Sequence, residues 1–461
     1  MTTTRNLSLF QTLLLVLACQ CCAEVAAVFD HVTGTANLID GIVSTANQQH
    51  RPPAAPLPLG IRTPANRRGS VAINGTKAAV YLKGNGNAVF DVKKYGAKAN
   101  GKSDDAQAFM TTWIAACRNT TGPAKFLIPK GIFLVGPVTF AGPCKSMPIT
   151  IEIQGTVKAT TDISEYSSPD WISIEGITGL ILTGSGVFDG QGASAWPYND
   201  CKINNNCQIL PNSIKFTRLN HSIVDGLTSI NSKGFHTSVF RCYNFTATNM
   251  NIMAPGNSPN TDGMHLSTSK LVTISSSTIG TGDDCVSIGH SCEKITVTNV
   301  TCGPGHGISI GSLGRYKTEK SVLDVLVQNC TIFNATNGAR IKTWANTISG
   351  SAVGIVFDNI VMRKVKNPII IDQTYGTKEK KASKWKISDV HFKNIRGTST
   401  TNVAVLLECS ELFPCEGVEL RDINLSYGGA SLKNTTTVSS CLNAKIKTFG
   451  VQNPPACVVQ H

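Results

Sequence analysis

Short runs of alternating apolar and polar residues recur through most of the chain, from residue 126 onward. They are rich in Val, Ile, Leu and Phe, and Gly or Asn residues lie between them. Alternation with a period of two is typical of a β-strand that buries one face. Equivalent runs lie about 20 to 30 residues apart, the spacing at which each coil of a parallel β-helix adds one strand to each of several sheets. The runs are 149–152, 172–174, 180–182, 214–216, 224–227, 272–274, 295–297, 325–327, 355–357, 369–371, 390–392, 403–407 and 418–420.

The pattern therefore predicts an all-β, single-domain parallel β-helix. An antiparallel sandwich or a propeller is the alternative, but hairpin dipeptides do not punctuate the runs regularly. Asn residues recur at the predicted turns, where they suit left-handed backbone and side-chain hydrogen bonds between coils. These residues are Asn231, Asn249, Asn299, Asn329, Asn359 and Asn394.

One segment carries a helical pattern, at about residues 106–118, directly after Asp104 and Asp105. Either aspartate suits the N-terminus of a helix. A stacked array of coils exposes its first coil and needs a cap. We therefore expect this short N-terminal helix to cover that end of the β-helix.

The two ends of the chain differ from this central part. Residues 1–23 combine Arg5, a short apolar run and small residues before Glu24, which predicts a signal peptide. A membrane anchor is the alternative, but the apolar run is shorter than the about 20 residues that span a bilayer. Residues 24–87, rich in Pro, are predicted to form a flexible leader or pro-segment. The catalytic domain is placed at 88–435 and a C-terminal tail at 436–461.

Composition agrees with a secreted all-β protein. Charged residues make up only 15%, and Lys plus Arg exceed Asp plus Glu by 42 − 29 = 13, spread along the chain. Diffuse positive charge favours a polyanionic partner, but no motif for nucleic-acid binding accompanies it. Outside the predicted signal peptide, nine Asn-x-Ser/Thr sequences fit a secreted glycoprotein. They begin at Asn74, Asn119, Asn220, Asn244, Asn299, Asn329, Asn334, Asn424 and Asn434.

The cysteines also indicate an oxidising compartment. Of 16 cysteines, three lie in the predicted signal peptide, so an odd number of 13 remains and at least one thiol stays unpaired or pairs elsewhere. No metal-type cysteine cluster is evident. Short loops would be closed by the pairs Cys285 with Cys302, Cys409 with Cys415, and Cys441 with Cys457.

The candidate chemistry lies between residues 260 and 307. Asp262, Asp284 and His306 follow each other at intervals of 22 residues, and Asp283 directly precedes Asp284. A repeat of one coil would stack these side chains on one face, about 4.8 Å apart. Crowded carboxylates raise the pKa of at least one of them, which leaves a protonated acid beside ionised bases. Glycosidic cleavage requires that combination.

Two cations follow on a later coil. Arg340 and Lys342 are two residues apart on a predicted strand, so both project from the face opposite Ile341. They either compensate the acids or bind a substrate that carries carboxylates. Asn260 and Tyr375 are further candidates for substrate binding, although a lone Tyr is more often a packing residue.

In this order, the segments 260–263, 282–284, 305–307 and 340–342 resemble the four signature segments of the polygalacturonase family of glycoside hydrolases. The resemblance extends from about residue 89 to 427. The resemblance is strongest to plant exo-acting members, many of them associated with pollen, on the basis of the sequences of segments 337–344 and 416–420.

The resemblance implies a right-handed parallel β-helix that hydrolyses α-1,4 linkages between galacturonic acid units of pectin, with inversion and without a metal or organic cofactor. Asp283 would then be the general acid, and Asp262 and Asp284 would activate water. His306 would support the protonation of the acid, while Arg340 and Lys342 would bind a substrate carboxylate. We expect a secreted, monomeric cell-wall enzyme that acts from a chain end.

Three alternatives stay open. The first is an endo-acting polygalacturonase. The second is a lyase of similar architecture in which the same acids bind Ca²⁺, although His306 is a poor ligand for Ca²⁺. The third is an inactive pectin-binding wall protein, whose polar residues stack only for stability.

Overall fold

A computed structural model describes residues 88–200, 204, 207–345, 348–376, 382–429 and 436–457. These residues wind into a right-handed parallel β-helix. The alternating runs predicted the parallel β-helix and the family resemblance implied its hand, and all pairings between the described strands are parallel. The coils contribute strands to three parallel stacks, called sheets below; the first two are joined into one 22-stranded sheet by the long strands that they share, and the third has 11 strands. The predicted signal peptide and leader lie outside the described residues.

The first and second sheets contain short strands at one end and share long strands at the other. The first contains β1 Ala88–Asp91, β3 Ala124–Ile128, β6 Ile149–Ile153, β9 Leu180–Thr183, β12 Asn220–Asp225, β15 Tyr243–Thr248, β18 Lys270–Ser275, β21 Glu293–Thr298 and β24 Val322–Gln328. The second contains β2 Asn100–Asp104, β4 Ile132–Val135, β7 Thr156–Ala159, β10 Val187–Asp189, β13 Thr228–Ile230, β16 Asn251–Met253, β19 Thr278–Gly280, β22 Thr301–Cys302 and β25 Thr331–Phe333. Both continue into β27 Gly350–Val365, β29 Trp385–Ser399, β31 Cys415–Tyr427 and β33 Ala444–Asn453.

The third sheet is formed by one strand from each successive coil and carries the candidate chemistry. Its strands are β5 Val138–Ala141, β8 Asp170–Glu175, β11 Asn212–Thr217, β14 Thr237–Phe240, β17 Met264–Ser267, β20 Val286–Ile288, β23 Ile308–Leu313, β26 Asn337–Trp344, β28 Asn367–Tyr375, β30 Val403–Glu408 and β32 Val438–Leu442. In the described part of the chain, one α-helix, α1 Ala106–Arg118, precedes this sheet. Short 3-10 turns occur at Val92–Tyr95, Ile163–Glu165, Gly192–Ser194 and Trp196–Tyr198.

The core is a set of apolar columns inside the coils. Equivalent residues on consecutive coils stack in register, because side chains that alternate along each strand point inward at the same position every turn. Phe357 and Phe392, for example, stack with ring centroids 5.4 Å apart and nearly parallel planes. One fully buried column consists of Val272, Ile295, Val325, Ile355, Val390 and Val418.

The Asn residues predicted at turns adopt the expected left-handed backbone, with φ between 50° and 55°. Side-chain bonds join some of them across coils. The Asn359 amide donates to Asn329 Oδ1 at 2.8 Å, and the Asn249 amide donates to Asp225 Oδ1 at 2.8 Å. The turn prediction is confirmed for Asn231, Asn249, Asn299, Asn329, Asn359 and Asn394.

The predicted cap helix is confirmed as α1. Phe109 packs edge-on against Phe126 and Phe133 of the first coils, at centroid distances of 6.0 and 5.6 Å. Asp104 accepts from the Ala106 N–H at 2.9 Å, at the helix start. Asp105 does not cap the helix with its side chain; its carboxylate instead accepts the N–H groups of residues 98 and 99 and ties down the preceding loop.

Parallel pairing continues beyond residue 435, where the sequence suggested a tail. Strand β32 pairs with β30, and β33 pairs with β31 through Asn453. The segment predicted as a tail thus supplies the last strands of the β-helix, because its polar composition hid an alternation that only pairing with the preceding coil makes visible. Among the described residues, no helix has the length and apolarity to cross a membrane.

All three predicted disulfides are present, joining Cys285 to Cys302, Cys409 to Cys415 and Cys441 to Cys457. A fourth, from Cys117 at the end of α1 to Cys144, was not predicted and fastens the cap helix to the coil that follows. Three described cysteines are free and buried: Cys242, Cys292 and Cys330.

Candidate active site

The acids lie just before successive strands of the third sheet. Met264, Val286 and Ile308 are paired in register on β17, β20 and β23. Asp262, Asp284 and His306 each precede one of these residues by two positions, so the interval of 22 residues is one coil. Backbone hydrogen bonds extend the register to this row, since the Gly263 N–H donates to the Asp284 carbonyl at 2.8 Å.

The loop before Asp283 is held against the preceding coil. The Gly282 N–H donates to Thr261 Oγ1 at 3.0 Å, and Thr261 is bonded to the Ser258 hydroxyl at 2.6 Å. A Cβ atom at Gly282 would clash with the Ser258 carbonyl oxygen, so only glycine permits this approach. The turn therefore presents both following aspartates at a defined place.

Asp284 is the centre of a buried ion cluster. Its side chain is 1% exposed, and its Oδ1 accepts from Ser309 at 2.8 Å and from Arg340 at 2.6 Å. Its Oδ2 accepts from Lys342 Nζ at 2.8 Å. Burial opposes the ionisation of Asp284, but Lys342 and Arg340 outweigh it and lower the pKa of this carboxyl below its usual value. Asp284 is therefore held as a carboxylate.

Asp262 lies in the opposite electrostatic situation. It is buried and accepts from the Ser287 hydroxyl at 2.7 Å. Burial, followed by repulsion from Asp283 and Asp284, raises its pKa well above the usual value, although Lys342 acts against this. Two aspartates on adjacent coils thus differ in proton affinity because the cations bond directly to only one of them.

Ser287 links Asp262 to His265. His265 Nδ1 lies 2.8 Å from Ser287 Oγ, and since Ser287 donates its proton to Asp262, His265 donates to Ser287. Burial, and then Lys342, lower the pKa of His265 to about 4, so the ring is neutral over most of the acidic range. A chain of hydrogen bonds thus leads from the imidazole to the carboxylate.

Asp283 and His306 form the open side of the site. Asp283 Oδ1 lies 2.8 Å from His306 Nδ1, and their side chains are 24% and 37% exposed. The position of Asp283, one residue off the row, explains the difference from its buried neighbour Asp284. It is the aspartate of the three with the most accessible side chain.

The remaining predicted residues flank this cluster. Arg340 and Lys342 are 8% and 6% exposed, so the structure supports internal charge compensation for both. Tyr375 lies beyond them, with its ring centroid 5.1 Å from Lys342 Nζ. Asn260 is exposed in the loop that leads to Asp262, with a left-handed φ of 53°.

Sequence reasoning missed the serines that serve the acids. Ser287 and Ser309 each lie 25 residues after the carboxylate to which they donate. They form one outward row of the sheet with His265 and Arg340. The same interval repeated after two acids was a usable signal, but serine is common in this chain and the row becomes visible only in register.

Asp283, Asp284 and His306 also offer three ligand atoms within 4.8 Å of one another. This set suits a metal poorly, because both oxygens of Asp284 already accept from cations. A further cation would be repelled by Arg340 and Lys342. The arrangement suits proton transfer, with one carboxyl exposed and two carboxyls of divergent pKa beneath it.

Comparisons with known proteins identify similar sequences among glycosyl hydrolases. The sequence profile of Glycosyl hydrolases family 28 matches residues 117–450. An exopolygalacturonase of Platanus acerifolia is 46% identical over 370 residues, covering 79% of this chain and 97% of that protein. An exopolygalacturonase of Zea mays is 46% identical over 374 residues, covering 80% and 90%.

Solved structures share the fold at low identity. An exopolygalacturonase from Thermotoga maritima superposes with a TM-score of 0.65 at 21% identity, covering 75% of this chain and 88% of that one. An endo-xylogalacturonan hydrolase from Aspergillus tubingensis gives a TM-score of 0.65 at 23% identity, covering 79% and 100%.

Proposed function

Because the chain belongs to glycosyl hydrolase family 28, we propose that it is a polygalacturonase, which hydrolyses α-1,4 linkages between galacturonic acid units of pectin. The observation that carries the proposal is the cluster of one accessible and two buried aspartates over two buried cations. Arg340 and Lys342 bring two positive charges against the one negative charge of Asp284. Besides compensating the acids, these two cations attract the carboxylate of an anionic sugar.

In the proposed reaction, Asp283 donates a proton to the glycosidic oxygen as the C–O bond breaks. Water attacks the anomeric carbon, and Asp262 and Asp284 orient it and accept its proton. Asp284 is held ionised by its cations, whereas Asp262, with the raised pKa, is the stronger proton acceptor once it has ionised. His306 Nδ1 lies 2.8 Å from Asp283 Oδ1, and in the proposed reaction the imidazole passes a proton back to Asp283.

Substrate binding is assigned to the residues around this centre. Arg340 and Lys342 attract the carboxylate of one galacturonate. The ring of Tyr375 lies over Lys342, and Asn260 lies in the loop that leads to Asp262. No metal or organic cofactor takes part in the proposed steps. Release of a product that absorbs ultraviolet light, or activity that needs Ca²⁺, would favour the lyase alternative instead.

Replacement of Asp283 tests the catalytic assignment. We expect Asp283→Asn to lower kcat on polygalacturonate by about 10²-fold or more, because the proton donor is lost. Asp225→Asn, which removes a carboxylate from the first sheet, is the matched control and should leave kcat unchanged. Hydrolysis by the Asp283 variant at the control's rate would overturn the assignment of Asp283 as the proton donor, whereas absence of hydrolysis by the wild type would favour the inactive wall-protein alternative.

We further propose inversion at the anomeric carbon. Oxygens of Asp283 and Asp284 lie within 4.8 Å, less than the about 6.5 to 9.5 Å usual between the carboxyls of inverting enzymes. Inversion thus rests on the family resemblance and not on this distance. Nuclear magnetic resonance of the first product formed, before mutarotation, distinguishes the anomers; initial release of the α-anomer would overturn inversion.

Exo action is proposed from the names of the similar plant proteins. Measurement of product size over time tests this proposal, because release of the monomer alone from the outset indicates exo action. A mixture of oligomers early in the reaction would instead support the endo alternative.

We also propose that the protein is secreted to the cell wall as a monomer. Signal cleavage before Glu24 would leave secreted protein whose first residue is Glu24, which N-terminal sequencing measures. Sedimentation of the purified protein gives the oligomeric state, and a dimer mass would contradict the monomer.

A further inference from the structure

Besides Arg340 and Lys342, a third cation, Arg315, is linked to the site and is exposed to solvent. Polygalacturonate carries one carboxylate on each sugar, whereas Arg340 and Lys342 are largely buried and already bonded to Asp284. Arg315, in contrast, is exposed and follows β23, the strand that carries Ser309. Within the described part of the chain, no carboxylate forms an ion pair with its guanidinium.

The backbone at Arg315 is fixed by a buried acid. Glu319 is 7% exposed and accepts three consecutive N–H groups. They belong to Gly314 at 2.6 Å, Arg315 at 3.1 Å and Tyr316 at 2.9 Å. A carboxylate that accepts several backbone donors orders the loop around it. Arg315 therefore projects from a preformed turn.

The side chain of Arg315 is held by two aromatic rings. Its Cζ lies 4.8 Å from the ring centroid of Trp344 and 5.2 Å from that of Tyr316. Such cation–π contacts restrain the guanidinium and leave the N–H groups in its plane available. A planar fork of donors matches a carboxylate in a bidentate way.

Trp344 also connects Arg315 with the acids. Trp344 contacts Tyr375 edge to face, with centroids 5.4 Å apart, and Tyr375 lies over Lys342. Lys342 in turn bonds Asp284. A continuous line of contacts thus crosses the third sheet from the buried ion cluster to the exposed arginine.

We propose that Arg315 binds the carboxylate of a galacturonate unit neighbouring the one at the acids. This inference rests on the proposed function. The stacked arginine supplies a second, accessible position for a substrate carboxylate, separate from the buried pair Arg340 and Lys342. It should govern affinity for the substrate and not the chemical step.

The test compares Arg315→Gln with Lys317→Gln, which removes the same charge from an exposed position of the same loop. We expect the Arg315 variant to raise KM for polygalacturonate about fivefold to twentyfold at nearly constant kcat, as loss of a charge-assisted pair in a partly open site predicts. Lys317→Gln should change KM less than twofold. Arg315→Lys should restore only part of the affinity, because it keeps the charge but loses the fork.

The outcomes separate this inference from the proposed function. If the wild type hydrolyses polygalacturonate and the two Gln variants have equal KM values, the role of Arg315 is overturned and the proposed function stands. If the wild type releases no reducing ends, the proposed function fails. Calorimetry with trigalacturonate then decides the binding role, and equal affinity of wild type and Arg315→Gln overturns it. Thermal unfolding of each variant verifies that the fold is intact.

Discussion

Individual residues set the chemistry of this site through their immediate partners. Asp262 and Asp284 occupy the same position on adjacent coils, yet their pKa values move in opposite directions. Arg340 and Lys342 bond to Asp284, whereas Asp262 receives only a neutral hydroxyl. The pattern of bonds, not the residue type, thus divides one pair of identical acids into two states.

Removal of the Asp284 charge should destabilise the fold strongly. In Asp284→Asn, Arg340 and Lys342 would stay buried with their charges uncompensated, and breaking such a pair costs about 3 to 5 kcal/mol. Urea denaturation measures the loss. Glu152→Gln, which breaks the more exposed pair with Lys125, serves as control and should cost about 1 kcal/mol or less. Equal effects of both changes would argue against the cluster.

Asp262 should produce a pH-dependent cost to stability. The pKa of Asp262 is higher in the folded chain than the value of about 3.9 in the unfolded chain. In the pH interval between these two pKa values the folded state binds more protons than the unfolded state, so the free energy of unfolding falls as pH rises through the interval. Asp262→Asn should remove this decline and be more stable than wild type above the interval. Each unit of upward shift contributes about 1.4 kcal/mol. Parallel stability curves of variant and wild type from pH 4 to 8 would contradict the assignment.

Ser287 should tune the pH dependence of activity. Its hydroxyl stabilises ionised Asp262, so Ser287→Ala should raise the pKa of Asp262 further and move the ascending limb of kcat/KM to higher pH by about one unit. The pH profile measures this shift, which a purely structural role would not cause. Ser238→Ala, in the same outward row next to His265, is the control. An unshifted profile would show that Asp262 need not ionise.

At the scale of elements, the cap helix closes the β-helix and the strand register sets the spacing of the site residues. Helix α1 closes the first coil, and the third sheet stacks the site residues on β17, β20, β23 and β26. Register is strict here because a slip of one residue would move every core side chain outward. The acids therefore keep their spacing as long as the columns stay packed.

Phe109 should be critical for the cap. It is 1% exposed between Phe126 and Phe133, so Phe109→Ala would leave a cavity and cost about 3 to 5 kcal/mol. Ile114→Ala, on the same helix but 49% exposed, should cost about 1 kcal/mol or less. Chemical denaturation compares the two, and a similar loss for both would mean that α1 contributes little as a cap.

At the scale of the whole molecule, the last coils complete the array. Strands β32 and β33 cover β30 and β31, whose Leu407 and Leu420 are at most 1% exposed. A chain ending at residue 427 would expose strand edges and should aggregate. Light scattering measures this against a control chain ending at residue 457. A soluble, monomeric truncated protein would show that the last coil is dispensable.

Several features follow from the sequence by itself. Alternating runs at a regular spacing require a coil that buries one face of each strand, and the interval of 22 residues places Asp262, Asp284 and His306 in one row. Helix α1, the left-handed Asn turns and three disulfides are local features that composition and spacing express directly. Such signals are readable because they depend on few neighbours along the chain.

Only the tertiary structure decided which partners the site residues have. Ser309 and Arg340 lie 31 residues apart in sequence, and Arg340 and Asp284 lie 56 residues apart. No local pattern therefore predicts that both cations bond to the same aspartate. The stack of Arg315 on Trp344 depends equally on register between coils. Charge, burial and hydrogen bonding act through space, which is why the sequence identified the acids but their different proton affinities emerged from the fold.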